Sequence, residues 1–489
     1  MKWNMKVLWL CNIMLPMIAG QLHMETSNKE GWLSGLADAV LERRRENGIA
    51  LSVAFPVGKN FPAMVGKNGA MRRISPAVKN GSSSEHFGKE NGEFLEGGVF
   101  KAVLSVRENN IVCYGFPEDV SHAERYDEAL EESLKRIVED ASPDLVHCFG
   151  TEYPHTLAMC RIFPRKDRIL AGLQGLCTLY AEAYYANLPE HVIHSVTFRD
   201  YLKQDSLVQQ QEKFARRGEM EREAIGLAGN VTGRTRWDRA FTQKWNSGAQ
   251  YFHMNETLRK EFYGPVWEAG KCIPHSIFVS QGDYPLKGLH YVLEALPTMI
   301  DRYPDVKVYV AGNSIVRCST VKERLKLSAY GKYLLRLIER NELEDRVTFL
   351  GKLNAEQMRD RYLVSHMYLC PSASENSPNS LGEAMLLGMP CVSADVGGIS
   401  SLFTGRKDGI LYEGFREGGE GASQEDADRI ADSLAAAVNE MWENPGRMQE
   451  YCKNARKRAL ATHDRDRNYA RMIEIYEMIC NGVGQEAED

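Results

Sequence analysis

The chain has 489 residues, 43% of them hydrophobic and 26% charged, with a formal net charge of −6. These proportions exclude a disordered chain, a collagen and a coiled-coil rod. The negative charge argues against a general nucleic-acid binder, although local basic patches stay open. The length predicts two or three domains.

Residues 1–20 carry lysines and then the apolar run Val7, Leu8, Trp9, Leu10. Such a run fits a signal peptide or the first buried strand of an α/β domain. Asn12 and Pro16 interrupt it, and a helix opened by Gly31 and a strand over 49–55 follow, so a β-α-β unit is the preferred reading. Residues 57–92 are rich in Gly, Ser, Asn and Lys and predict a basic surface insertion. It reads as a solvated loop or as a patch facing an anionic acceptor or membrane surface. Strands are predicted near 99–106 and 110–116, a helix over 121–140, and a short buried strand over 144–149 that carries His147. A strand near 168–174, a polar helix over 204–225 and a strand ending at Gly233 follow.

The second half repeats the alternation. Strands are predicted at 275–280, 306–312 and 346–350, with helices at 288–303 and 320–341 between them. Short strands at 367–371 and 391–394 flank a further helix, and polar helices close the chain. Alternation across both halves predicts an α/β protein of two doubly wound Rossmann-like domains, 1–264 and 265–460, with the ligand in the cleft between them. No apolar run is long enough to predict a transmembrane helix. The eleven cysteines are scattered, without a CxxC, which predicts a reducing, cytoplasmic setting and neither disulfides nor structural zinc. In that setting the sequons at Asn230 and Asn255 carry little meaning.

Chemistry concentrates in residues 374–384, Ser-Glu-Asn-Ser-Pro-Asn-Ser-Leu-Gly-Glu-Ala. Two carboxylates, Glu375 and Glu383, flank a turn that opens a helix. Ser380 is a candidate N-cap, and the free amides around it suit a diphosphate. Glu375 suits sugar hydroxyls and Glu383 a ribose diol. The competing reading of Ser380 and Glu383 is a capping box that needs no ligand. The strings Asp464-Arg465-Asp466 and Asp426-Ala427-Asp428 imitate a metal motif but lie beside polar helices, so no metal is expected. Arg43, Arg44 and Arg45 read as a solvated helix end or an anionic-surface contact.

The Glu-x7-Glu spacing, Ala384, the run 388–394 and the pair Gly397-Gly398 resemble the retaining glycosyltransferases of family GT4, which have the GT-B architecture. The resemblance covers nearly the whole chain. It implies a hexosyltransferase-type enzyme moving a sugar from a nucleotide-diphosphate donor to an acceptor hydroxyl, with retention and without a cofactor. Lys287-Gly288 is similar to the family's diphosphate-binding Lys-Gly, and residues 143–147 to the strand whose histidine, here His147, faces the donor sugar. The resemblance thus implies His147, Lys287 and Glu375 as catalytic. It implies Gly31, Gly351, Leu353, Asn376, Ser377, Asn379, Ser380, Leu381 and Glu383 as donor-binding. The last helix, 461–489, is similar to one that crosses back to the first domain. Residues 233–238 and Gln174-Gly175 resemble the bacterial surface-polysaccharide subgroup, which implies a saccharide or lipid-linked acceptor and leaves room for a peripheral contact at the inner membrane face. Two departures stand out. Gln281 and Gly282 occupy the position of the family's Gly-Arg, so Arg234 is a candidate accessory cation, and Ser400-Ser401 replace a frequent glutamate. A nucleotide-sugar epimerase and a non-catalytic sugar-nucleotide binder are the alternative readings.

Overall fold

Alternate residues of the first strand, β1 (Met5–Cys11), point into two different cores. Val7, Trp9 and Cys11 join one cluster, Leu8 and Leu10 the other, as expected of a strand covered on both faces. The computed structural model of the chain describes residues 5–22, 24, 31–43, 48–58, 61, 92–106, 109–318, 320–416 and 423–482. Most of the predicted basic insertion, and Arg44 and Arg45, lie outside the described residues.

β1 is flanked by β2 (Ile49–Val57) and β6 (Leu145–Phe149), both parallel to it. β3 (Gly92–Phe94), β4 (Phe100–Val106) and β5 (Asn109–Pro117) extend one side, and β7 (Ile169–Gly172), β8 (Asn230–Gly233) and β9 (Gln250–His253) the other. The order is β3-β4-β5-β2-β1-β6-β7-β8-β9, with antiparallel pairing only from β3 to β5. The second sheet is parallel throughout. Its strands β10 (Ile273–Val279), β11 (Lys307–Ala311), β12 (Val347–Gly351), β13 (Ser365–Cys370), β14 (Cys391–Asp395) and β15 (Ile410–Glu413) run in the order β12-β11-β10-β13-β14-β15. Two Rossmann-like α/β lobes result.

The two halves of the chain are not wholly separate. Ala183, Tyr184, Leu188 and Val192 of the first half pack into the core of the second lobe, where Tyr291 donates from its hydroxyl to Ala186 O (2.8 Å). In the other direction, the helix Arg465–Asn481 packs on the first sheet through Tyr469, Met472, Ile475 and Tyr476.

Some elements differ from expectation. The helix predicted over 121–140 forms only at Ala129–Ala141, after a 3-10 turn at Val120–His122. The helix predicted over 320–341 is two helices, Val321–Leu325 and Ala329–Arg340. Ser328 breaks it by capping the second, its side chain accepting from Gly331 N, while Asp200 accepts from Ala329 N. β9 and β15, four residues each, were not predicted.

Candidate functional site

The chain leaves β10 to one side for β11 and later returns on the other side as β13. Loops at the carboxyl ends of those two strands therefore diverge and leave a crevice. A cavity of about 420 Å3 opens there, lined by Val279, Ser280 and Gln281 after β10 and by Cys370, Pro371 and Ser372 after β13. Lys287, Glu375, Ser377, Asn379, Ser380 and Glu383 line it too, and Gln174, Arg234, Leu258 and Arg259 close it from the first half of the chain.

Lys287 ends a short 3-10 turn, Pro285–Lys287, directly before the helix Leu289–Arg302. Gly288 makes that junction possible. Its φ is +66°, and a Cβ there would stand 1.8 Å from Pro371 O, so only glycine lets the two loops touch. Lys287 Nζ meets Glu375 Oε1 at 2.5 Å, and Ser372 Oγ donates to the same oxygen at 2.8 Å. Burial lowers the lysine's pKa, but the adjacent Glu375 carboxylate more than offsets it and holds the ammonium charged, well above its ordinary range. Glu375 is pinned from behind by Gly397-Gly398: Gly398 N donates to Glu375 O at 2.9 Å, and Gly397 (φ +53°) is pressed against that carbonyl.

The helix Asn379–Leu387 starts at the cavity wall. Its N-cap is Pro378, not Ser380, and no side chain caps it. Ser380 is the second residue of the helix, where its Oγ accepts from Tyr368 Oη at 2.8 Å. The capping-box reading of Ser380 and Glu383 is therefore overturned. Leu381 N and Gly382 N donate to Pro378 O, and among the described residues no side chain takes the amides of Asn379 and Ser380, which stand on the cavity wall at the positive end of the helix dipole. Glu383 is buried and its carboxylate is taken by Arg259, whose Nε and Nη2 donate to Oε1 and Oε2 at 2.6 and 2.7 Å. Burial raises the Glu383 pKa, and this bidentate pairing opposes the rise.

Arg234 also reaches the cavity. It pairs with Glu256, donates to Gln174 O (3.4 Å) and, among the described residues, leaves its buried Nε without a partner. Other predicted residues are placed elsewhere. Asn376 joins the lobes instead of lining the cavity: it accepts from Thr235 Oγ1 (2.7 Å) and donates to Asp238 Oδ2 (3.0 Å). His147 does not reach the cleft. It is fully buried in β6 beneath the last helix, with Nδ1 2.7 Å from Tyr476 Oη, and burial pushes its pKa down to about 3. Gly351 and Leu353 stand at the end of β12, two strands from β10 and outside the cavity lining. Leu381 turns into the core, and Gly31 begins the helix Gly31–Glu42 on the first sheet, away from the cavity lining. Asp464 caps the last helix, Asp466 pairs with Arg43, and Asp426 pairs with Arg429. Among the described residues, no three His, Cys, Asp or Glu side chains gather as a metal site.

The sequence reading missed Arg259 and Glu256. Both lie in the connection between the two sheets, where Asn255-Glu256-Thr257 had been read only as a sequon. The available signal was a stretch with paired charges, residues 256–261, in a place where no helix or strand was expected.

Residues 274–458 match the family model described as "Glycosyl transferases group 1". The chain is 28% identical over 135 residues to D-inositol 3-phosphate glycosyltransferase of Corynebacterium urealyticum, a match covering 26% of this chain and 29% of that protein. The chain thus spans well under half the length of this relative. Its structure is similar to sucrose-phosphate synthase of Thermosynechococcus elongatus (TM-score 0.59, 15% identity, 98% of this chain and 100% of the other). It is also similar to Anabaena Alr3699/HepE, solved in complex with UDP-glucose (TM-score 0.55, 16% identity, 96% and 99% covered). The two lobes therefore have the GT-B architecture.

Proposed function

We propose that this chain is a glycosyltransferase that takes a sugar from a nucleotide-diphosphate donor and passes it to an acceptor hydroxyl. One observation carries the reading. An uncapped helix start, Asn379–Leu387, and the charged Lys287 face a single 420 Å3 cavity within the segment that matches the group 1 glycosyltransferase model. Negative charge develops on the departing diphosphate, and fixed donors aimed at it lower the barrier. Lys287 and the amides of the first helical turn supply those donors. Glu375 holds Lys287 in place with one oxygen and presents its carboxylate to the sugar. Glu383 takes the ribose hydroxyls. Arg234, at the opposite wall, is the accessory cation in place of an arginine at Gln281 or Gly282. His147 has no part, because its ring lies beneath the final helix.

Transfer of a hexosyl group, retention of configuration and a role in surface polysaccharide or glycolipid synthesis belong to the same proposal. They are supported by the Glu-x7-Glu spacing and by residues 233–238. Among the described residues no helix is long and apolar enough to cross a membrane. A lipid-linked acceptor would therefore be met by peripheral contact of these parts of the chain.

A thermal-shift panel of UDP-, GDP- and ADP-sugars tests the donor. One of them should raise the melting temperature, and the same one should be consumed faster when saccharide acceptors are added. Stabilisation by none contradicts the proposal. Conversion of the donor to its epimer without acceptor would favour the epimerase instead.

A further inference from the structure

Three cations line the cavity, and each is paired with a carboxylate: Arg259 with Glu383 and Lys287 with Glu375 on the lining itself, and Arg234 with Glu256 just outside it. In these pairs three positive charges are matched by three negative ones. Cations paired off in this way give little net attraction to a diphosphate. For such an anion to bind well, at least one cation must exchange its carboxylate for the ligand.

The geometry distinguishes the three. Arg234 is the most enclosed, its side chain 7% exposed against a partner at 3%, and it is also tied to Gln174 O. Lys287 has a single polar head, whose partner Glu375 is fixed by Ser372 and by the glycine pair behind it. Arg259 differs. Its side chain is as exposed as that of Lys287 (21% against 20%), but among the described residues both of its hydrogen bonds go to Glu383 alone, with the guanidinium also lying over the Phe262 ring. Its backbone lies in the connection between the sheets, whereas Glu383 is fixed on a helix of the second lobe. Glu383 for its part spends one lone pair of each oxygen on the guanidinium, and its fork-facing edge is open to a ribose diol only once Arg259 has turned away.

Resting on the reading of the cavity as a nucleotide-sugar site, we infer that Arg259 and Glu383 exchange partners when the donor binds. Glu383 turns from the guanidinium to the ribose hydroxyls. The released Arg259 takes the diphosphate from the side opposite Lys287. The exchange leaves neither group unpaired, which avoids the cost of a buried carboxylate or guanidinium without a partner. It also gives this chain a second strong phosphate ligand, planar and bidentate, despite Gln281 and Gly282. Arg259 then acts as a gate of specificity: a ligand with phosphates but no ribose diol, or the reverse, completes only half of the exchange.

The test compares wild type with Arg259→Ala and Arg259→Lys. The probes are UDP, GDP and ADP with their nucleosides uridine, guanosine and adenosine, measured by isothermal titration and by competition. For the nucleotide that wild type binds, Arg259→Ala should weaken the diphosphate at least tenfold. It should leave the matching nucleoside unchanged or bound more tightly, since Glu383 has lost its competitor. Arg259→Lys should recover part of the diphosphate affinity. A merely structural arginine would lower both affinities by one factor, so an unchanged diphosphate-to-nucleoside ratio overturns the exchange. Wild type that binds none of the three diphosphates overturns the reading of the cavity, and the exchange with it.

Discussion

Replacing Lys287 by alanine removes one half of a pair that is 20% and 10% exposed at its two side chains. Glu375 would keep the hydrogen bond from Ser372 Oγ but lose the cation it pairs with. The cavity then loses an attraction for a diphosphate and gains a repulsion. Two unit charges about 4 Å apart interact by about 4 kcal/mol at the effective dielectric of a partly buried site. Truncating one partner of a buried charge pair costs about 2–5 kcal/mol in binding. We expect the lower part of that range, about 3 kcal/mol, because Arg234 and Arg259 line the same cavity and compensate in part. That is about a hundredfold in the donor's Kd by titration calorimetry. The double variant Lys287→Ala/Glu375→Gln removes the orphaned charge and should bind the donor more tightly than the single variant, although less tightly than wild type. Turnover should fall at least tenfold in both, about 1.4 kcal/mol in barrier. Donor affinity within threefold of wild type in Lys287→Ala, or no difference between single and double variants, would refute the reasoning.

Three further predictions concern the frame around the site. Tyr476→Phe leaves Trp9 Nε1 and His147 Nδ1, now 2.9 and 2.7 Å from the phenolic oxygen, without their partner. It should cost about 2–4 kcal/mol in urea denaturation, and a loss under 0.5 kcal/mol would show that the last helix is not latched there. Gly288→Ala forces a side chain into a backbone at φ +66° and against Pro371 O, so it should lower stability by at least about 2 kcal/mol and abolish donor binding. His147, His290 and His463 are buried neutral, with pKa values pushed down by burial to about 3, 4 and 3. Below the ordinary value of about 6.5 the unfolded chain binds protons that these rings refuse, so stability falls as pH drops from about 6.5 towards 4. Each ring contributes about 1.4 kcal/mol per pH unit in that window. A melting temperature flat between pH 7 and pH 5 would contradict it.

What could be read from the sequence followed the range over which each signal acts. β1 and β6 are apolar runs buried on both faces, and β10 and β11 become so towards their carboxyl ends; such runs declare themselves within a few residues. The turn at 374–384 is also local, because a helix start has a short signature, whereas the Lys287-Gly288 junction was legible through its resemblance to the family's Lys-Gly. β9 and β15 are short edge strands whose formation depends on a neighbour already in place. Arg259 escaped because its partner lies 124 residues away, and only folding brings them together. His147 was misplaced for a related reason. Alternation along β6 puts Leu145, His147 and Phe149 on one face, and whether that face meets a ligand or a helix depends on residues 465–481. The Ser380–Glu383 spacing fitted a capping box, but Pro378 begins the helix two residues earlier and moves both residues out of register.

The account turns on where the phosphates of a donor lie. A crystal structure of the chain soaked with the nucleotide sugar that stabilises it should place the diphosphate within hydrogen-bond reach of Lys287 Nζ and of the backbone amides at Asn379 and Ser380. Phosphates found at any other surface, with Lys287 still closed on Glu375 and those amides facing water, would contradict it.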